Sequence, residues 1–254
     1  MQKYSRRYSR YTWRARTGCY GFGLVELLVA MALSLVIGAA VLQVYVSQRQ
    51  SYRAQDDLAR LQENARFAFE QIAQDLRRVG FIGCSRKASW ANDTGNSAYN
   101  DMATASISEN SGTLTVRYAG PQALAQVGGS YTWSNIPVPR LVADCSRATL
   151  FTADTVPSGY ANGSQIFSLS TVTYSVSSGG LQRGNDSLIA SGVQSLTFEY
   201  GVAGGTGWAS EYKPAAEVTN WGAVVSVNAV LTLRGDVAGD QVYRSVIALR
   251  NRLP

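Results

Sequence analysis

The chain has 254 residues, 46% of them hydrophobic and 16% charged, and it contains no histidine. That length accommodates one or two domains with a sizeable core. The missing imidazole excludes Ser-His-Asp and Cys-His nucleophile systems and every metal site that needs a histidine ligand. The net charge of +6 arises from 23 Lys and Arg against 17 Asp and Glu, and its location says more than its size.

Residues 1–21 hold Lys3, Arg6, Arg7, Arg10, Arg14 and Arg16 and no acid. Without those six, seventeen basic residues face seventeen acidic ones, so the basic pI near 9.3 belongs to the tail. A nucleic-acid interface needs a basic face on the folded body, and generic nucleic-acid binding is not expected. The cysteines divide at the same place: Cys19 lies in the tail, while Cys84 and Cys145 lie far beyond it. Loss of the tail leaves an even pair, which suits a disulfide in an oxidising compartment; free thiols are the alternative in a reducing one.

Leu27 to Val46 reads LLVAMALSLVIGAAVLQVYV, twenty residues without a charge and enough for one helical bilayer crossing. The apolar run starts at Phe22 and is interrupted only by Glu26. The positive charges before it favour a cytoplasmic N-terminus. A secretory signal peptide has the same order of parts, with Ala39-Ala40 as a small-residue cleavage site, but its apolar core is shorter, about 7–15 residues. A carboxylate inside the apolar run costs roughly 2.5–3.5 kcal/mol at mid-bilayer and less near the interface. Glu26 has two readings: an anion at a helix N-terminus, where the helix dipole favours it, or one that awaits a cation from a neighbouring subunit.

Gly21-Phe22-Gly23-Leu24-Val25-Glu26-Leu27-Leu28-Val29-Ala30 resembles the class III leader junction of type IV pilins and pseudopilins. The resemblance implies that a prepilin peptidase cuts between Gly21 and Phe22 and that Phe22 is then N-methylated. It also implies that Glu26, fifth in the mature chain, pairs with a neighbour's N-terminal amine during assembly. A buried carboxylate and a buried ammonium relieve each other's desolvation only as a pair.

Beyond the membrane segment no glycine occurs between Gly38 and Gly80 and no proline before Pro121, so the helix can continue. Leu58, Leu61, Ala65, Ala68, Phe69, Ile72, Leu76 and Val79 recur at three- and four-residue spacing, an amphipathic stripe. Asp57, Arg60, Glu63, Arg66, Glu70 and Arg77 form the expected solvated face, and Gly80 ends the helix after Arg77-Arg78. Twenty of the 24 glycines and all six prolines lie from Gly80 onward, among runs rich in β-branched and aromatic residues. Strands are predicted at 113–118, 149–152, 166–176, 193–200, 223–234 and 241–250. The polar stretch 85–112 reads as an exposed loop, and Gly201 to Gly207 as a flexible hairpin connection. One long helix followed by strands without crossover helices predicts an antiparallel sheet laid against that helix. A bridge between Cys84 and Cys145 would close a loop of about 60 residues, worth about 4 kcal/mol in the chain-entropy picture. No carboxylate pair, metal-ligand cluster or cofactor loop stands out, so neither catalysis nor a cofactor is expected.

The run from Leu61 to Ala68, Asp75-Leu76-Arg77-Arg78-Val79-Gly80-Phe81-Ile82-Gly83-Cys84, and the later Gly192 to Gly201 and Ala248 to Arg252 are similar to the PilW group of minor pilins. The implied fold is α+β and type IV pilin-like, with one long N-terminal helix, half membrane-spanning and half amphipathic, packed on an antiparallel sheet. Its expected parts are a cleaved leader at 1–21, an assembly helix at 22–46, an amphipathic helix at 47–80 and a periplasmic domain at 81–254. The implied role is a non-catalytic subunit that primes type IV pilus assembly near the tip. Its implied partners are prepilin peptidase, other minor pilins, the major pilin and the inner-membrane assembly platform. A J-type pseudopilin of type II secretion is the alternative within the family; a membrane-tethered adhesin or DNA-uptake module is the alternative outside it.

Overall fold

The computed structural model describes residues 21, 23–83, 89–100, 102, 106–120, 124–184, 186–205 and 207–253. Helix α1 runs from Leu24 to Arg78 and passes through Gly38 unbroken. It belongs to two compact units, one ending at Tyr52 and one comprising Arg53–Pro254. In the first unit every described helix residue is exposed. In the second the predicted stripe is the buried one: Leu61, Ala65, Ala68, Ile72 and Leu76, followed by Val79, with Leu58 and Phe69 half-buried. Arg77 and Arg78 occupy the last turn, where the negative end of the helix favours cations. Gly80 then turns the chain at φ +70°, a conformation that strains any residue with a Cβ. Its N–H donates to the Arg117 carbonyl at 3.1 Å, which ties the helix end to the sheet.

The larger sheet contains β1 (Ser89–Asn92), β2 (Ile107–Asn110), β3 (Thr113–Ala119), β4 (Ala125–Gln126), β5 (Arg140–Ala143), β6 (Arg147–Phe151), β7 (Gln165–Ser177), β8 (Gly180–Arg183) and β9 (Asp186–Ser191). Its main order is β1-β6-β5-β7-β3-β2, with β4 and β8 also paired to β7 and β9 paired to β8. The second sheet contains β10 (Val193–Ala203), β11 (Ala209–Pro214), β12 (Val224–Arg234) and β13 (Asp240–Ala248), ordered β11-β10-β12-β13. The single antiparallel sheet expected from the sequence is thus two sheets, and β1 pairs parallel with β6. All six predicted strands are present, with shifted ends. The reading of 85–112 as an exposed loop is corrected. It supplies β1 and β2, and it buries Met102, Ser106 and Ile107 because β2 folds back on β3 with Ile107 opposite Val116. The glycine-rich connection after β10 does join a hairpin to β11.

The main core gathers the helix stripe with alternate residues of both sheets: Leu114, Val116 and Tyr118 of β3, Tyr174 of β7, Phe198 and Tyr200 of β10, Ala229 and Leu231 of β12. This is the period-two burial expected of strands with one packed face, and each large side chain so buried contributes about 1.5–3 kcal/mol. Near its outer end the docked helix is gripped by the β12–β13 turn. The Asp57 carboxylate accepts from the backbone N–H of Val237 and Ala238 at 2.8 and 2.9 Å. Gly235 permits that approach, since a Cβ there would lie 2.6 Å from Asp57 Oδ2 and 2.9 Å from Leu61 Cδ1. Asp57, expected on the solvated face, is therefore a docking residue, and those amide bonds from Ala238 and Val237 hold its pKa below the usual carboxylate value.

Candidate functional site

The predicted junction begins at Gly21, which is exposed; Phe22 lies outside the described residues, as do Cys19 and Cys84. Gly23 caps helix α1, its carbonyl accepting from Leu27 N–H at 3.2 Å. Glu26 is then the third residue of the helix, and its Oε2 accepts from the Gly23 N–H at 3.4 Å. A carboxylate three residues inside a helix that reaches back to the cap is half of a capping box. It satisfies one of the amides that the helix start leaves without a partner. The apolar segment behind it holds exposed Leu, Val, Ile and Met side chains from Leu24 to Val46, with mean hydropathy 2.5 over its most apolar window. The helix is long and apolar enough to cross a membrane.

In the folded domain Cys145 is disulfide-bonded. It sits in a turn organised by Asp144, whose carboxylate accepts from Ser146 Oγ and N–H at 2.7 and 2.8 Å and from Arg147 N–H at 2.9 Å. The bonds from Ser146 lead in holding the Asp144 pKa far below the usual carboxylate range. Immediately before Asp144, Ala143 meets Gly83, where a Cβ would lie only 2.9 Å from the Ala143 Cβ. The chain at Gly83 thus runs beside the segment that carries Cys145.

A polar cluster that sequence reasoning missed lies where the helix meets the larger sheet. Asp75 is 2% exposed. Its carboxylate accepts from Arg183 Nε at 2.8 Å and Nη2 at 3.2 Å, from Tyr118 Oη at 2.7 Å and from Tyr174 Oη at 2.6 Å. Burial pushes its pKa up, but the bonds from Arg183, Tyr174 and Tyr118 outweigh that and hold it below normal. Both tyrosines are pushed up, by burial first and by the adjacent carboxylate second. The only signal in the sequence was an acid on the apolar side of the stripe, one residue before Leu76. A fully paired buried carboxylate with no open side orients the helix on the sheet. Among the described residues no three His, Cys, Asp or Glu side chains come together as a metal site.

A family model described as Type IV Pilus-assembly protein W matches residues 156–251, a stretch that takes in β7 to β13. A second, described as Prokaryotic N-terminal methylation motif, matches residues 16–42, which takes in Gly21, Phe22 and Glu26. No curated protein and no solved structure gives a significant match.

Proposed function

We propose, from the match of residues 156–251 to type IV pilus-assembly protein W and of residues 16–42 to the N-terminal methylation motif, that the chain is a PilW-type minor pilin that primes pilus assembly and stays near the tip. The observation that carries this reading is the junction itself. A glycine precedes a phenylalanine, one carboxylate stands at the third helical position, and an exposed apolar helix follows.

Apolar surface of that extent requires a membrane or neighbouring helices around it. The precursor is held in the inner membrane by residues 22–46, with the basic leader in the cytoplasm and residues 81–254 in the periplasm. Prepilin peptidase removes residues 1–21, and methylation follows at Phe22. Glu26 already leans toward the helix start, so a neighbour's ammonium can replace the Gly23 amide as its partner when the subunit leaves the bilayer. A bridge between Cys84 and Cys145 fastens the segment after the helix to the β5–β6 turn. The folded domain then contacts other minor pilins, the major pilin and the assembly platform. A pilin-family subunit of this kind is structural, and the mature chain's balanced charge offers no general attraction for nucleic acid.

Glu26→Ala tests the assembly step. Processing is expected to proceed, because the scissile bond is unaltered. Losing one member of a buried ion pair costs about 3 kcal/mol, enough to lower incorporation into sheared pili by well over about tenfold. Normal piliation would remove Glu26 from the assembly mechanism. Normal piliation with a secretion defect would move the chain to the J-type pseudopilins.

A further inference from the structure

The edge of a sheet presents unpaired N–H and C=O groups to any strand that comes alongside, and proteins blunt such edges with short strands, bulges, prolines or lysines. Most edges in this domain are blunted. β1 and β2 are four residues each and β4 is two. β9 joins β8 through two register shifts. β11 carries Lys213 and Pro214, and its pairing shifts at Val202/Ala203.

β13 has none of these protections. It is nine residues long, pairs with β12 in unbroken register from Asp240 to Ala248, and contains no proline, glycine or lysine. It has no second neighbour among the described residues. Tyr243 and Ile247 face the core. On the other face Val242, 57% exposed, and Val246, 62% exposed, flank the exposed Arg244. At the C-terminal end of the strand lies a pocket of about 490 Å³ lined by Arg77, Val246, Ile247, Ala248, Arg250 and Leu253, two guanidinium groups and no acid.

We infer that β13 is a strand-addition site, along which an extended segment of another protein pairs with an acidic side chain opposite Arg244 and apolar side chains opposite Val242 and Val246. In strand addition the main chain supplies affinity, and alternate side chains supply specificity. A second copy of this chain is the poorer occupant: the antiparallel register that sets Val242 against Val246 opposes Arg244 to Arg244, and directly opposed like charges are destabilising. The register that sets Val242 against itself opposes Arg244 to Asp240, which Arg234 already holds at 3.0 Å. This inference is independent of cleavage at Gly21.

The test uses the full chain in detergent and two acetylated, fluorescent peptides, Thr-Val-Thr-Glu-Thr-Val-Thr and its counterpart with a central lysine. Fluorescence anisotropy should show the glutamate peptide binding about tenfold more tightly, the difference between an attractive and a repulsive cross-strand pair. Amide exchange in β13 should slow when it binds. Arg244→Glu should reverse the preference, with exchange in β12 reporting that the sheet is intact. If that variant does not fold, Arg244→Gln should bring the two peptides to equal affinity. Equal binding to the unaltered protein, an unchanged preference in Arg244→Glu, or no peptide-dependent protection of β13 would overturn the inference.

Discussion

Gly21→Leu is expected to leave the chain at its precursor length and to exclude it from pili. Among the described residues a Cβ at Gly21 would meet nothing within 4 Å, so the substitution carries no packing penalty against them. The folded domain from Arg53 onward is a separate compact unit, and its thermal unfolding should be unchanged. Any loss must then be in recognition by the peptidase. A site shaped around a residue without a side chain excludes leucine by steric overlap, whereas the apolar contacts of the following helix are the same in both chains. The readout is the electrophoretic shift on co-expression with prepilin peptidase. Complete processing of Gly21→Leu would contradict the cleavage assignment.

Asp75→Ala is expected to destabilise the folded domain substantially. It leaves the Arg183 guanidinium and the hydroxyls of Tyr118 and Tyr174 facing a void at the helix–sheet junction. Arg183, 38% exposed, can turn to water, and Tyr174 keeps its bond to the Gln71 carbonyl. The loss is therefore that of the buried polar groups left without their acceptor, about 1–3 kcal/mol, still a sizeable share of the 5–15 kcal/mol typical of a domain. Chemical denaturation of the full chain in detergent measures the loss. Processing at Gly21 should persist, since the junction lies outside that unit. The same carboxylate sets an acid limit. Its folded pKa is lowered, so its stabilising contribution is present above the unfolded value of about 3.9. That contribution disappears as pH falls through the folded pKa. Unfolding midpoints of the unaltered protein should therefore drop below about pH 4, and those of Asp75→Asn should drop less. An identical acid profile in Asp75→Asn would show that other carboxylates govern acid stability.

The junction and the helix were legible because both are written in local chemistry. A charge-free run of twenty residues and a stripe at 3.6-residue spacing need no knowledge of distant partners. The six predicted strands were legible for a similar reason, being rich in β-branched and aromatic residues. β5 was hidden because four residues directly after Pro139 carry too little pattern to separate them from a turn. β2, reading ISEN, and β11, reading ASEYKP, are polar edge strands whose conformation comes from pairing with β3 and β10 rather than from their own propensity. The parallel partnership of β1 with β6 joins segments more than fifty residues apart and leaves no local mark. Asp75 belongs to the same class. Its partner Arg183 is 108 positions away, and only tertiary packing brings them together. Asp57 was misplaced because helical periodicity says which side a residue occupies but not that the β12–β13 turn will reach over to it.

The central claim is that this chain enters the pilin pathway, and the N-terminal peptide of the membrane-purified protein tests it most directly. Mass spectrometry of material made with prepilin peptidase present should find a chain that begins at Phe22 and carries one added methyl group on its amine. A chain that retains the basic tail of residues 1–21 would contradict the account, leave an ordinary signal-anchored protein, and remove the role proposed for Glu26.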